Sequence, residues 1–225
     1  MATILNIETA TTNCSVSIGV NGNVVSLLEE NTPNYSHSEQ LHVFISKVLK
    51  KASLRFNDLD AIAVSKGPGS YTGLRIGVSA AKGLCFSLDL PLIVVATLES
   101  MANQLKVAEN AVIIPLLDAR RMEVYSCVFN YKLEEIRKTK AEVIDENSFS
   151  DYLGNKKIFL IGSGAEKCKD VLKNPKFVFQ DQLIPSANEM TLLSFQKFEA
   201  SDFEDVAYFE PFYLKDFVLQ QKKKA

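Results

Sequence analysis

Apolar and polar positions alternate early in the chain, and the pattern predicts three strands within the first thirty residues. Ile4-Leu5-Asn6-Ile7 runs into a polar turn at residues 9–13, and Val16 to Val20 alternates with period two. Asn21-Gly22 is a hairpin signal, and Val24 to Leu28 supplies the returning strand. The period then changes. Leu41, Phe44, Ile45, Val48, Leu49 and Ala52 stand at i, i+3, i+4, i+7, i+8 and i+11, which predicts a helix over 36–52 with one apolar stripe. Ser36 and Glu39 have the spacing of a capping box at its start.

Ala61 to Val64 reads as a short buried strand, followed by a glycine-rich loop and a helix over 72–88. Leu92 to Val95 is the next strand, and a further helix is expected near Leu98 to Leu105. Strand-after-strand then returns: Val112 to Leu117, Met122 to Phe129, and a looser run near Ile136 to Val143. Ile158 to Ile161 ends in Gly162-Ser163-Gly164, with a helix expected to about Leu172, a strand at Phe177-Val178-Phe179 and a helix from Ser186 to Phe198. Strands first and strand-helix alternation second is an order that occurs twice. It predicts two related α/β halves with mixed sheets, 1–100 and 101–225, the last segment free to pack back on the first half.

The 225 residues carry a formal net charge of -2, and the only basic run is Lys222, Lys223, Lys224. A protein that grips nucleic acid unaided carries a basic face, so tRNA contact is expected only through a complex. Cys14, Cys85, Cys127 and Cys168 are far apart, which fits neither a zinc site nor a disulfide framework. With no signal-peptide pattern at the start and no apolar run of about 20 residues, a cytoplasmic protein is expected.

The loop Gly67-Pro68-Gly69-Ser70-Tyr71-Thr72-Gly73 looks at first like a phosphate cradle. It has no lysine where the Walker form needs one, and Thr72 stands where the dinucleotide form needs its third glycine. Inside the following helix, Gly73, Gly77 and Ala81 recur every four residues. Glycine in a helix costs about 1 kcal/mol against alanine. The flat face so made serves either close packing on the chain's own sheet or the approach of a partner's backbone.

From residue 67 to 77 the run GPGSYTGLRIG resembles the signature of the TsaB family, also called YeaZ. Ile4 to Thr9, Ser36-His37-Ser38, Leu117 to Arg120 with Glu123-Val124-Tyr125, and Pro211 to Lys215 match it in order, so the likeness spans nearly the whole chain. The resemblance implies an actin-like/Hsp70-like (ASKHA, ribonuclease H-like) fold of two subdomains. It also implies a non-catalytic partner of the transferase TsaD in placing threonylcarbamoyl on the adenosine beside the tRNA anticodon, with a TsaE-type ATPase joining the complex. In the family the first two helices meet TsaD, here 36–52 and 72–88. The expected partner-binding residues are therefore Leu41, Phe44, Ile45, Val48, Gly73, Arg75, Ile76, Gly77, Ala80 and Ala81. Taken as exposed, the same stripe makes a homodimer reasonable in the partner's absence. Gly77→Leu is then expected to spare the fold and break the complex. No cofactor is expected on this chain alone, and ATP or ADP only at the heteromeric contact.

Three enzymatic alternatives each lack a residue they need. The catalytic relative holds metal through two histidines four apart. This chain has only His37 and His42, five apart and so about 140° apart around a helix at about 100° per residue. A glycopeptidase-like hydrolase would need Ser163 as nucleophile, but its Gly-Ser-Gly setting is not the G-x-S-x-G elbow. An ATPase or phosphotransferase of the ASKHA class would hold phosphate on a glycine-bearing turn after the first strand. Here that turn is Glu8-Thr9-Ala10-Thr11-Thr12, without glycine, and Glu8 replaces the family's usual aspartate, a longer arm expected to misplace a metal-bound water.

Overall fold

The computed structural model describes residues 1–32, 36–154 and 156–215. The basic run Lys222 to Lys224 lies outside the described residues. In chain order the elements are β1 (Thr3–Glu8), β2 (Asn13–Val20), β3 (Asn23–Asn31), α1 (His37–Lys51), β4 (Ala61–Ser65), α2 (Tyr71–Leu88), β5 (Leu92–Val95) and α3 (Thr97–Ala102). They continue as β6 (Val112–Asp118), β7 (Glu123–Asn130), β8 (Glu135–Val143), β9 (Ile158–Ile161), α4 (Ala165–Cys168), β10 (Phe177–Gln180) and α5 (Ala187–Glu199).

Two five-stranded sheets result, ordered β3-β2-β1-β4-β5 and β10-β9-β6-β7-β8. Read from the other edge, the second is β8-β7-β6-β9-β10, so both sheets share one plan. The first three strands are antiparallel, and the fourth and fifth join in parallel beside the first. This is the two-subdomain ASKHA architecture with mixed sheets.

The first sheet is covered on both faces, which is why β1 and β4 read as unbroken buried runs. Leu5, Ile7, Ile62 and Val64 meet Leu41, Ile45 and Val48 of α1 and Val78 and Ala81 of α2. Ile4, Ala61, Ala63 and Ile93 meet Met190 of α5. The α5 face adds buried polar ties: Ser194 Oγ donates to Asn6 Oδ1 at 2.6 Å and Ser17 Oγ to the Ala187 carbonyl at 2.8 Å. A helix from the end of the sequence thus closes the sheet made by its beginning. α3 packs instead on the second sheet, where Leu98, Met101 and Ala102 join Ile113, Leu117 and Phe129.

Local expectations fail at two helix ends. Ser36 makes no side-chain cap, and its carbonyl accepts from Glu39 N and Gln40 N instead, so no capping box forms. The helix expected to reach Leu172 stops at Cys168, beyond which Val171 N bonds back to Cys168 O in a tighter turn. After β10 the chain does not stay in the second half. Beyond α5, residues 203–215 return along the first: Glu204 N bonds to Leu92 O, and Val206 and Phe209 pack on the first core.

Candidate partner interface

α2 lies on the first sheet with its glycine face inward. A Cβ built on Gly73 would stand 2.1 Å from the Thr9 carbonyl oxygen, and one on Gly77 would stand 2.3 Å from Thr9 Oγ1. Gly69 is equally tight, its Cβ position falling 2.5 Å from the Ala10 carbonyl oxygen. The glycines therefore let α2 and its leading loop close on the β1–β2 turn, and Thr9 Oγ1 donates to Gly73 O at 2.8 Å across the contact. Gly73, Gly77 and Ala81 are buried within the chain and are not a face for a partner.

The α1 stripe also faces inward. Leu41, Ile45 and Val48 are fully buried and Phe44 is 8% exposed, all within the first core. The apolar stripe marks the helix's own seat on the sheet, so it is not the exposed surface from which a homodimer was expected. Of the ten residues expected to face a partner, Arg75, Ile76 and Ala80 reach the outside.

These three line an open groove of about 670 Å³ between the outer sides of α1 and α2. Its walls include His42 of α1 and Tyr71, Ser79, Gly83 and Leu84 of α2, none of them among those ten. A signal was present: Ser79 and Gly83 are four apart, a second small-residue ridge beside the buried one, with Ile76, Ala80 and Leu84 repeating every four residues alongside it. A Cβ on Gly83 would meet nothing within 4 Å. At the N-terminal end of the groove, Ser70 caps α2, its Oγ accepting from Gly73 N at 3.2 Å. Arg75 Nη1 donates to Tyr71 Oη at 3.1 Å, with the guanidinium carbon 5.1 Å from that ring's centre.

The histidines occupy different surroundings. His37 is buried, with Nε2 2.7 Å from the Thr11 carbonyl, and burial holds its pKa below the ordinary value. His42 is on the surface in the groove. Ser163 Oγ accepts from the Asp118 amide at 3.3 Å, and Lys167 pairs with Asp118, tying the 118–123 rim within the second half.

The turn after β1 is filled by the chain itself. Ala10 O accepts from Ser70 N at 2.7 Å, Thr11 O is held by His37, and Thr9 O lies against Gly73. Glu8 is wholly buried, Oε1 accepting from Ala10 N at 2.6 Å and from Ser65 Oγ at 2.8 Å, so its carboxyl turns back into the protein rather than reaching out towards a metal-bound water. Burial pushes this carboxyl up to about 7 against the lowering effect of those hydrogen bonds.

The model of the TsaD family, tRNA N6-adenosine threonylcarbamoyltransferase, matches residues 32–221. The tRNA threonylcarbamoyladenosine biosynthesis protein TsaB of Escherichia coli K12 is 31% identical over 229 residues, covering 97% of each chain. Its namesake in Haemophilus influenzae is 30% identical, covering 98% of this chain and 96% of that one. In fold, YeaZ from Pseudomonas aeruginosa superposes with a TM-score of 0.78 at 24% identity, over 95% of this chain and all of that one. The likeness in sequence runs through nearly the full length of both chains and the likeness in fold agrees with it: this chain belongs to the TsaB family.

Proposed function

We propose that the chain is the non-catalytic partner of a TsaD-type transferase in forming threonylcarbamoyladenosine on tRNA, and that it docks that transferase through the α1–α2 groove. The observation that carries the docking is the groove itself, an apolar floor of Ile76, Ala80 and Leu84 with small residues alongside that admit a helix backbone closely. The match to the TsaD family model supports a partner of the same build, so equivalent helices would meet across a near-symmetric contact. A second copy of this chain would fill the same groove when the transferase is absent.

The non-catalytic part of the reading is supported by the β1–β2 turn. The turn has no glycine, and its Ala10 amide is spent on Glu8 Oε1 instead of being offered to a phosphate. ATP or ADP enters the proposal only at the contact between chains, where a TsaE-type ATPase would join, and tRNA is reached through the complex in the cytoplasm. Among the described residues no helix is long and apolar enough to cross a membrane.

Gly83→Arg tests the groove. The position is open, and arginine is the better helix former by close to 1 kcal/mol, so the melting temperature should hold or rise. Binding to the organism's TsaD, read by calorimetry, should be lost, and threonylcarbamoyl transfer in the reconstituted system with it. Undiminished binding by this variant would remove the groove from the interface.

A further inference from the structure

The segment after α5 crosses the molecule as a strap and passes the Tyr71 end of the groove. Lys82 of α2 donates from Nζ to the Ala207 and Phe209 carbonyls at 3.1 and 3.0 Å. Phe212 N donates to Lys66 O at 2.7 Å, beside the glycine loop. Lys215 pairs with Glu123 on the rim of the second half. Between those last two ties, the Tyr213 ring lies 4.9 Å from the Tyr71 ring, tilted by 36°. Tyr71 in turn holds Arg75 by ring and hydroxyl.

The three side chains form a stack in which each orders the next. A guanidinium left alone on a helix surface samples many rotamers, and fixing it costs side-chain entropy when it pairs. Here that order is imposed before any partner arrives. Arg75 is exposed and lines the groove. A planar fork fixed at the end of an apolar groove suits one chemistry best, a carboxylate received by two parallel hydrogen bonds.

We infer that the strap is part of the docking surface: through Tyr71, Tyr213 positions Arg75 as the anchor for a carboxylate carried by the partner's docking helix. This rests on the groove being the transferase interface. Tyr213 is a positioning residue, and it lies 142 positions from Tyr71 in sequence (213 minus 71).

The test is binding of the purified full chain to its TsaD at several salt concentrations, with the melting temperature of each variant in parallel. Tyr213→Ala should weaken binding about tenfold and flatten its salt dependence, and Arg75→Ala should do the same. Tyr213→Phe keeps the ring and should bind as the unaltered chain. In the Arg75→Ala background, Tyr213→Ala should add nothing, because the two act through one contact. Tyr208 is 85% exposed on the same strap, and Tyr208→Ala should leave binding unchanged. Normal binding by Tyr213→Ala, an effect that adds to that of Arg75→Ala, or an equal loss with Tyr208→Ala would each overturn the inference. If Gly83→Arg binds normally, the groove reading falls and this one with it. If Gly83→Arg abolishes binding while Tyr213→Ala does not, only the role of the strap is wrong.

Discussion

Gly77→Leu should lower the melting temperature by about 10 °C, against the sequence-based expectation that leucine there spares the fold. The first atom of the new side chain already falls 2.3 Å from Thr9 Oγ1, and the remaining atoms are hemmed in by the β1–β2 turn and Val64 of β4. Forcing a core apart in this way costs about 3 kcal/mol or more. Loss of the Thr9 Oγ1–Gly73 O bond adds about 1 kcal/mol, which cancels what leucine gains in helix propensity. Alanine replacements should grade the effect. Gly73→Ala meets a backbone carbonyl at 2.1 Å and should be worse than Gly77→Ala, whose neighbour is a hydroxyl able to turn aside. Thermal unfolding of the three variants is the measurement. A leucine variant that melts with the unaltered chain would mean that α2 does not sit on Thr9 as described.

The second large effect concerns pH. The Glu8 carboxyl is raised from 4.5 to about 7 by burial, so the folded chain binds its proton more tightly than the unfolded chain does. Its contribution is fully present below pH 4.5 and is lost as pH rises to about 7, after which it is flat. The difference of 2.5 units, 7 minus 4.5, corresponds to about 3 kcal/mol. Glu8→Gln removes this titration. The amide oxygen can take the bonds from Ala10 N and Ser65 Oγ, and its nitrogen replaces Oε2, a buried atom with no hydrogen-bond partner. The variant should match the unaltered chain near pH 4.5 and exceed it above pH 7, the gap opening between them. Chemical denaturation across that range decides the matter; parallel curves at every pH would show that Glu8 does not titrate there.

Much of the fold is legible because burial leaves a periodic trace. The two runs of strands, the hairpin at Asn21-Gly22 and the extents of α1, α2 and α5 all follow from spacing that the sheets and their covering helices require. The docking face is harder to read, and the reason is physical. An apolar stripe records that a helix face is buried but not what buries it, and Leu41, Ile45 and Val48 are buried by their own sheet. Small residues four apart have the same ambiguity. α2 carries two such ridges side by side, and only the position of Thr9 decides that Gly73 and Gly77 face inward while Ala80 and Gly83 face out. The stack of Tyr213 on Tyr71 leaves no local trace at all, since it joins residues that meet only once the chain is folded.

The seat of α5 has a consequence for synthesis on the ribosome. The first sheet is complete in sequence by Val95, yet one of its faces waits for residues 187–199. Until they emerge, Ile4, Ala63 and Ile93 form part of an uncovered apolar sheet on a nascent chain. At about 5–20 residues per second that interval lasts several seconds. The first half is therefore made early and finished last, and a ribosome stalled in the second half would hold out a surface suited to a chaperone.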